Sequence, residues 1–279
     1  MSALLAATGP STYWYLTRST GAVALLLLTI ALVLGVIDVR RWSSENWPRF
    51  VVDSLHRNVS LLALVFLGLH ILTAVLDSFA PISLVNAVIP FTGSYRPFWL
   101  GLGALSFDLI VAVIVTSLLR RQMGHAIWRS IHWLTYASWP VALLHGLGTG
   151  SDVKSTWMLA LSIGCLIAVI AAILVRIAAG WPEQLARRGA ALGGIAIFTL
   201  GLFLWLPSGP LGKEWARRSG TPQTLLGHSS SHASSGSGLL NAASLSSGSS
   251  SVRSPETISS SEANSSSDFN SSGATGANQ

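Results

Sequence analysis

Residues 56–70 read HRNVSLLALVFLGLH, and residues 132–145 read HWLTYASWPVALLH. Each stretch is an apolar run closed at both ends by histidine: His56 and His70 in the first, His132 and His145 in the second. Continuous apolar runs without alternation predict helices rather than the strands of a barrel. An ionisable side chain inside a membrane span is costly and by default marks a functional site. At 1.5 Å per residue, each pair spans about 20 Å along its helix axis.

The rest of the chain supports a membrane reading. Its 279 residues are 50% hydrophobic and only 10% charged, with a mean hydropathy of +0.55. Several apolar runs approach the ~20 residues that cross ~30 Å of hydrocarbon. Six spans are expected: Tyr15–Ile37, Ser54–Leu76, Phe98–Leu119, Ile127–Leu147, Thr156–Ile177 and Ala190–Leu206. Trp14, Trp42, Trp47, Trp99, Trp128, Trp157, Trp181 and Trp205 fall near their ends, as an aromatic belt would. From about Ser219 the composition turns to Ser, Gly, Asn and Ala, which cannot bury enough apolar area to offset chain entropy. The expected fold is all-α: an integral membrane bundle of six transmembrane helices with a disordered C-terminal tail. The expected division is a short N-terminal segment (1–14), the six-helix domain (15–207) and a Ser/Gly-rich tail (208–279).

Charge and cysteine usage narrow the class. The net charge of +6 sits in short loops, which fits contact with anionic lipid better than nucleic-acid binding. Arg40, Arg41, Arg49, Arg57, Arg120, Arg121, Arg129, Arg176, Arg187 and Arg188 lie on one side of the six spans. Arg18, Arg96, Lys154, Lys213, Arg217 and Arg218 lie on the other. Ten against six places the odd loops in the cytoplasm and both termini outside a multi-pass plasma-membrane protein. No cleavable signal peptide is evident. The single Cys165 allows no intrachain disulfide and no thiolate-ligated iron–sulfur cluster. Neither GxGxxG nor GxxxxGK[ST] occurs, so no flavin or nicotinamide domain is expected.

With that topology the two histidine helices run parallel, pairing His56 with His132 and His70 with His145. Two imidazoles facing each other suit the axial positions of a heme iron, and two such pairs suit two hemes stacked across the bilayer. Bis-imidazole ligation leaves no open position and favours one-electron transfer over oxygen chemistry. The plain alternative is a set of interhelical hydrogen bonds. A spacing of 14 returns His70 to within ~40° of His56, whereas 13 leaves His145 ~140° from His132 on an ideal helix. A winding change at Pro140 is the expected remedy.

Other polar residues carry weaker readings. Arg57 and Arg129 flank the cytoplasmic ends of the histidine helices and suit heme propionates, or lipid contact. Asp108, in ALSFDLIVA, suits an acceptor for a ligand imidazole, a proton acceptor in quinol chemistry, or a protonated interhelical donor. Asp152 is expected to cap the fifth span, with a metal-exit role as the alternative. His125 reads as interfacial, and His228 and His232 lie in the tail.

WRSIHWLTYASWPVALLHG and HRNVSLLALVFLGLH resemble the two histidine helices of the ferric reductase-like transmembrane superfamily. That superfamily contains the membrane domains of NADPH oxidases and ferric reductases, and the heme-binding membrane subunit of the bacterial methionine sulfoxide reductase system. The resemblance covers roughly Thr17 to Trp205. It implies two b-type hemes, bis-histidine ligation and electron flow across the membrane. The histidine helices here are spans two and four, where the oxidases use three and five, and the oxidases' flavin and NADPH domain has no counterpart. The implied donor is therefore a quinol or a separate flavoprotein. The implied acceptor is ferric iron, oxygen, or a periplasmic or extracellular redox partner. Two other readings remain: a heme-bearing anchor subunit relaying electrons to a partner oxidoreductase, and a heme-free transporter.

Overall fold

The computed structural model describes residues 11–39, 49–78, 80, 82–178 and 185–226. Its elements are α1 (Thr12–Val39), α2 (Arg49–Leu76), α3 (Leu84–Val88), α4 (Pro97–Leu118), α5 (Arg120–Met123), α6 (His125–His132), α7 (Thr135–Thr149), α8 (Thr156–Ala178), α9 (Leu185–Ser208), α10 (Trp215–Arg218) and α11 (Gln223–Leu226), with a 3₁₀ turn at Ser151–Lys154. No strand occurs among the described residues. Five helices are long and apolar enough to cross a bilayer: Thr12–Ile37, Phe50–Leu76, Pro97–Leu118, Thr156–Ala178 and Arg188–Ser208. Exposed Leu61, Val65, Leu69 and Leu72 on α2, and Ile197, Leu200, Phe203 and Leu204 on α9, give these helices outward apolar faces. Lipid tolerates such faces, and it requires helices because they satisfy their own backbone. The described residues form an all-helical fold with five candidate membrane-spanning helices.

Two expectations change. The fourth expected span is two helices, α6 and α7, separated by a turn at Trp133–Leu134. The expected tail begins too early: residues 209–226 carry α10 and α11 and pack back on the bundle, where Trp215 Nε1–H donates to the Gly148 carbonyl at 3.1 Å. The expected disorder of 227–279, with His228 and His232, lies outside the described residues, as do Arg40, Arg41, Trp42, Trp47 and Trp181.

The bundle is built from two antiparallel hairpins. Helix α1 runs against α2, and α4 runs against α7. In lipid, helices associate through close packing and interhelical hydrogen bonds rather than by expelling water. Small residues therefore line the contacts: Ala22, Ala24 and Ala31 of α1 are buried, as are Ala104 and Ser106 of α4. Ser106 Oγ–H donates to the Ser138 carbonyl at 3.0 Å, tying α4 to α7. Leu25, Trp139, Leu143, Leu147, Cys165 and Val169 form the core between α1, α7 and α8. Within it the Trp139 Nε1–H donates to Thr29 Oγ1 at 2.9 Å, satisfying both buried polar groups.

Arg96 locks the end of the bundle nearest His70 and His145. It is 5% exposed and adopts a left-handed backbone (φ 41°) just before Pro97 opens α4. One guanidinium nitrogen donates to the Gly148 and Thr149 carbonyls at 3.1 and 3.0 Å, and Nε–H donates to Thr221 Oγ1 at 3.0 Å. Those carbonyls end α7, where a cation meets the negative pole of the helix. Arg96→Ala strips the Thr149 carbonyl of its side-chain donor and leaves the Gly148 carbonyl to Trp215 alone. We expect a loss of about 3 kcal/mol, read as a lower melting temperature in detergent, with incomplete rescue by Arg96→Lys because an ammonium lacks the planar fork.

Candidate functional site

The four expected histidines meet as two pairs. The His56 and His132 rings lie 6.4 Å apart, centroid to centroid, at 69°. The His70 and His145 rings lie 6.2 Å apart at 80°. A metal ion held between two imidazole nitrogens at about 2.0 Å each, with each centroid about 1.1 Å behind its nitrogen, sets the centroids about 6.2 Å apart. Both gaps match that width.

Three of the four rings are oriented by a main-chain carbonyl. His56 Nδ1 donates to Ala31 O at 2.9 Å, His70 Nδ1 to Thr17 O at 2.8 Å, and His145 Nδ1 to Trp99 O at 2.9 Å. A carbonyl can only accept, so the proton sits on Nδ1 and Nε2 keeps its lone pair. That is the tautomer a metal-ligating imidazole needs, and an acceptor behind Nδ1 raises its basicity.

The carbonyls belong to helices, and each is reachable because the residue four positions later is glycine. Thr17 is followed by Gly21, Ala31 by Gly35, and Trp99 by Gly103. A Cβ on Gly21 would come within 2.9 Å of the His70 ring, one on Gly35 within 3.2 Å of His56, and one on Gly103 within 2.5 Å of His145. Gly21 and Gly35 are 14 residues apart on α1, matching His56 and His70 on the antiparallel α2. That repeated spacing was a signal in the sequence that attention to the histidines alone missed.

His132 is the exception. Its Nδ1 is buried without a hydrogen-bond partner, and its ring stacks on Trp128 at 5.0 Å and 29°. It faces α2 because the chain overwinds just after it. Leu134, Tyr136 and Ala137 bond to carbonyls three residues back, those of Ile131, Trp133 and Leu134. Each such residue adds about 20° to the helical turn, rotating His145 toward the face of His132. The expected winding change thus falls at Trp133–Leu134, and Pro140 lies within the continuous α7.

Two cavities of about 90 and 220 Å³ flank the His70–His145 pair. Both share Leu28, Leu67, Ala74, Leu100 and Ala142, so together they form one apolar slot around the line joining the rings. A flat macrocycle held between the rings would need apolar room of this kind beside them. No group of three or more His, Cys, Asp or Glu suited to a metal occurs among the described residues. A porphyrin iron asks the protein for only two ligands, so these pairs fit it.

Arg18 was not anticipated. It lines the larger cavity, forms an ion pair with Asp152 and lies 3.5 Å over the Trp14 ring. A guanidinium at the rim of an apolar slot suits a carboxylate. Arg18→Ala should weaken retention of a carboxylate-bearing macrocycle at the His70–His145 pair about 10-fold, measured as pigment lost on dilution in detergent. Asp152 therefore pairs with Arg18, and the expected cap on the fifth span is not formed. Asp108 makes no hydrogen bond to a ligand imidazole: three ligand rings use carbonyls and the fourth uses nothing. Arg57 and Arg129 are exposed near His56 and His132, and His125 is exposed beside Trp128 at 5.5 Å.

In comparisons with known proteins, no family model matches the chain, and no curated protein and no solved structure matches it either.

Proposed function

We propose that this chain is a di-heme b-type cytochrome that carries electrons across the plasma membrane, akin to the ferric reductase-like transmembrane proteins. The observation that carries this reading is the pair of imidazole gaps, 6.2 and 6.4 Å wide, with three Nε2 lone pairs kept free of a proton by Nδ1–H donation. Heme b bound at each pair would supply one-electron redox chemistry. The imidazoles of His56 with His132, and of His70 with His145, would hold the two groups, the second beside a mostly apolar lining. Counting α6 and α7 as one broken span gives six crossings. Both termini then lie outside, His56–His132 sits on the cytoplasmic side, and His70–His145 sits on the outer side. Arg57 and Arg129 would pair with carboxylates of the cytoplasmic group, and Arg18 with those of the outer one. The donor is a quinol or a separate flavoprotein, and the acceptor is an outer redox partner, ferric iron or oxygen.

Protein purified from heme-replete cells should show a reducible b-type spectrum with two hemes per chain. A colourless preparation would overturn the reading. A second reading, a heme-bearing anchor relaying electrons to a partner oxidoreductase, is favoured by α9, whose span buries none of its residues within this chain. Reduction of ferric chelates by the isolated protein supplied with quinol would decide against the anchor.

A further inference from the structure

The carbonyl-and-glycine rule holds at three ligands and breaks at the fourth. Fourteen residues along α4 from Trp99 and Gly103 stand Val113 and Ser117. Ser117 occupies the place of the glycine, and its Oγ–H donates to the Val113 carbonyl at 2.7 Å. The same Oγ accepts the Trp128 Nε1–H at 3.3 Å, and Trp128 stacks on His132. The carbonyl that would receive His132 is therefore engaged, and the Nδ1 of His132 is buried with no partner.

We infer that His132 is the exchangeable ligand of its pair, that a small diatomic ligand binds there in its place, and that Ser117 is the positioning residue responsible. The inference rests on the heme reading above. An acceptor behind Nδ1 strengthens the imidazole as a donor and holds its ring in place, and losing such an outer partner typically costs 10–100-fold in metal affinity. His56, His70 and His145 keep that support. His132 has only the stack of Trp128, which orients the ring without adding basicity. In the ferrous state the exchange is a substitution without redox change: the bond from iron to His132 Nε2 breaks, a bond from iron to the diatomic forms, and the imidazole leaves neutral.

The probe is carbon monoxide, titrated into the reduced full-length protein in detergent. One heme per chain should bind it. Thr116 Oγ1–H also donates to the Val113 carbonyl, at 3.1 Å, so Ser117→Gly removes one of its two hydroxyl donors and the Cβ that fills the seat; carbon monoxide affinity should then fall at least ~10-fold with both hemes retained. Ser117→Ala keeps a Cβ in the seat and should stay reactive. The wild-type stoichiometry tests the inference even where Ser117→Gly fails to fold. Binding at both hemes, or at neither, overturns it while leaving the heme reading intact, as does unchanged affinity in a two-heme Ser117→Gly protein. Heme-free wild-type protein overturns the heme reading and this inference with it.

Discussion

His145→Ala should lower the heme content from two per chain to one, with the His56–His132 pair left spectrally intact. Three contacts hold the His145 imidazole in place. Its Nδ1 is pinned by Trp99 O at 2.9 Å, its ring faces His70 at 6.2 Å, and the apolar slot closes around both. Alanine removes the ligating nitrogen outright, so the loss of affinity should exceed the roughly 10–100-fold that follows loss of an outer-shell partner. The second pair lies about 20 Å away along the helices and shares none of these contacts, so the effects should be separable. His70→Ala should give the same one-heme product, and the double variant should lose no more. Asp108→Asn is the control, because Asp108 touches no ligand ring, and it should keep both hemes. Pyridine hemochrome content per chain reads all four variants. Two hemes retained in a folded His145→Ala protein would remove His145 from the site.

The parts of this site that were legible in the sequence are those that depend on helix periodicity. The apolar runs mark helices whatever their neighbours, and parallel passage of the two histidine stretches pairs His56 with His132 and His70 with His145. The structure brings those rings together. What sequence reading misplaced depends on local hydrogen bonding. Pro140 is a conspicuous helix breaker, yet the overwound turn lies at Trp133–Leu134, where nothing in the residue types announces it. Asp152 looked like a cap because it precedes a helix, but Arg18, which is remote in sequence, claims it. Asp108 looked like an orienting acceptor because carboxylates often serve that role, but helix carbonyls already supply it. The carbonyls are invisible as residue types. Only the glycines four positions beyond them leave a trace, and that trace reads as ordinary small-residue packing until the histidines are placed beside it. Arg96 and the 209–226 segment were missed for a similar reason, since a buried cation on helix-ending carbonyls is a tertiary contact with no local pattern.

Gly103→Ala should displace the His145 imidazole and empty the His70–His145 pair, although it adds a single methyl group to a helix. Within a helix the change would ordinarily stabilise by about 1 kcal/mol, because glycine is the poorer helix former. Gly164 and Gly193 have nothing within 4 Å of an added Cβ, so alanine there should follow that rule. At Gly103 the new carbon would sit 2.5 Å from Cε1 and Nδ1 of His145, far inside any tolerated contact. The ring cannot simply slide, because Trp99 O holds Nδ1 from the same helix. Relief therefore requires breaking that bond, which frees the tautomer and turns Nε2 away from His70. The clearances rank the series. Gly21→Ala, at 2.9 Å from His70, should weaken the same pair less, and Gly35→Ala, at 3.2 Å from His56, should weaken the other pair least. Heme content should fall in the order Gly35→Ala, Gly21→Ala, Gly103→Ala, with the last losing one heme of two. Melting temperatures of the heme-stripped proteins should change little, which separates a ligand effect from a folding effect. Equal heme retention across the three, matching Gly164→Ala, would show that the close approach of these imidazoles to α1 and α4 does not set how the ligands are held.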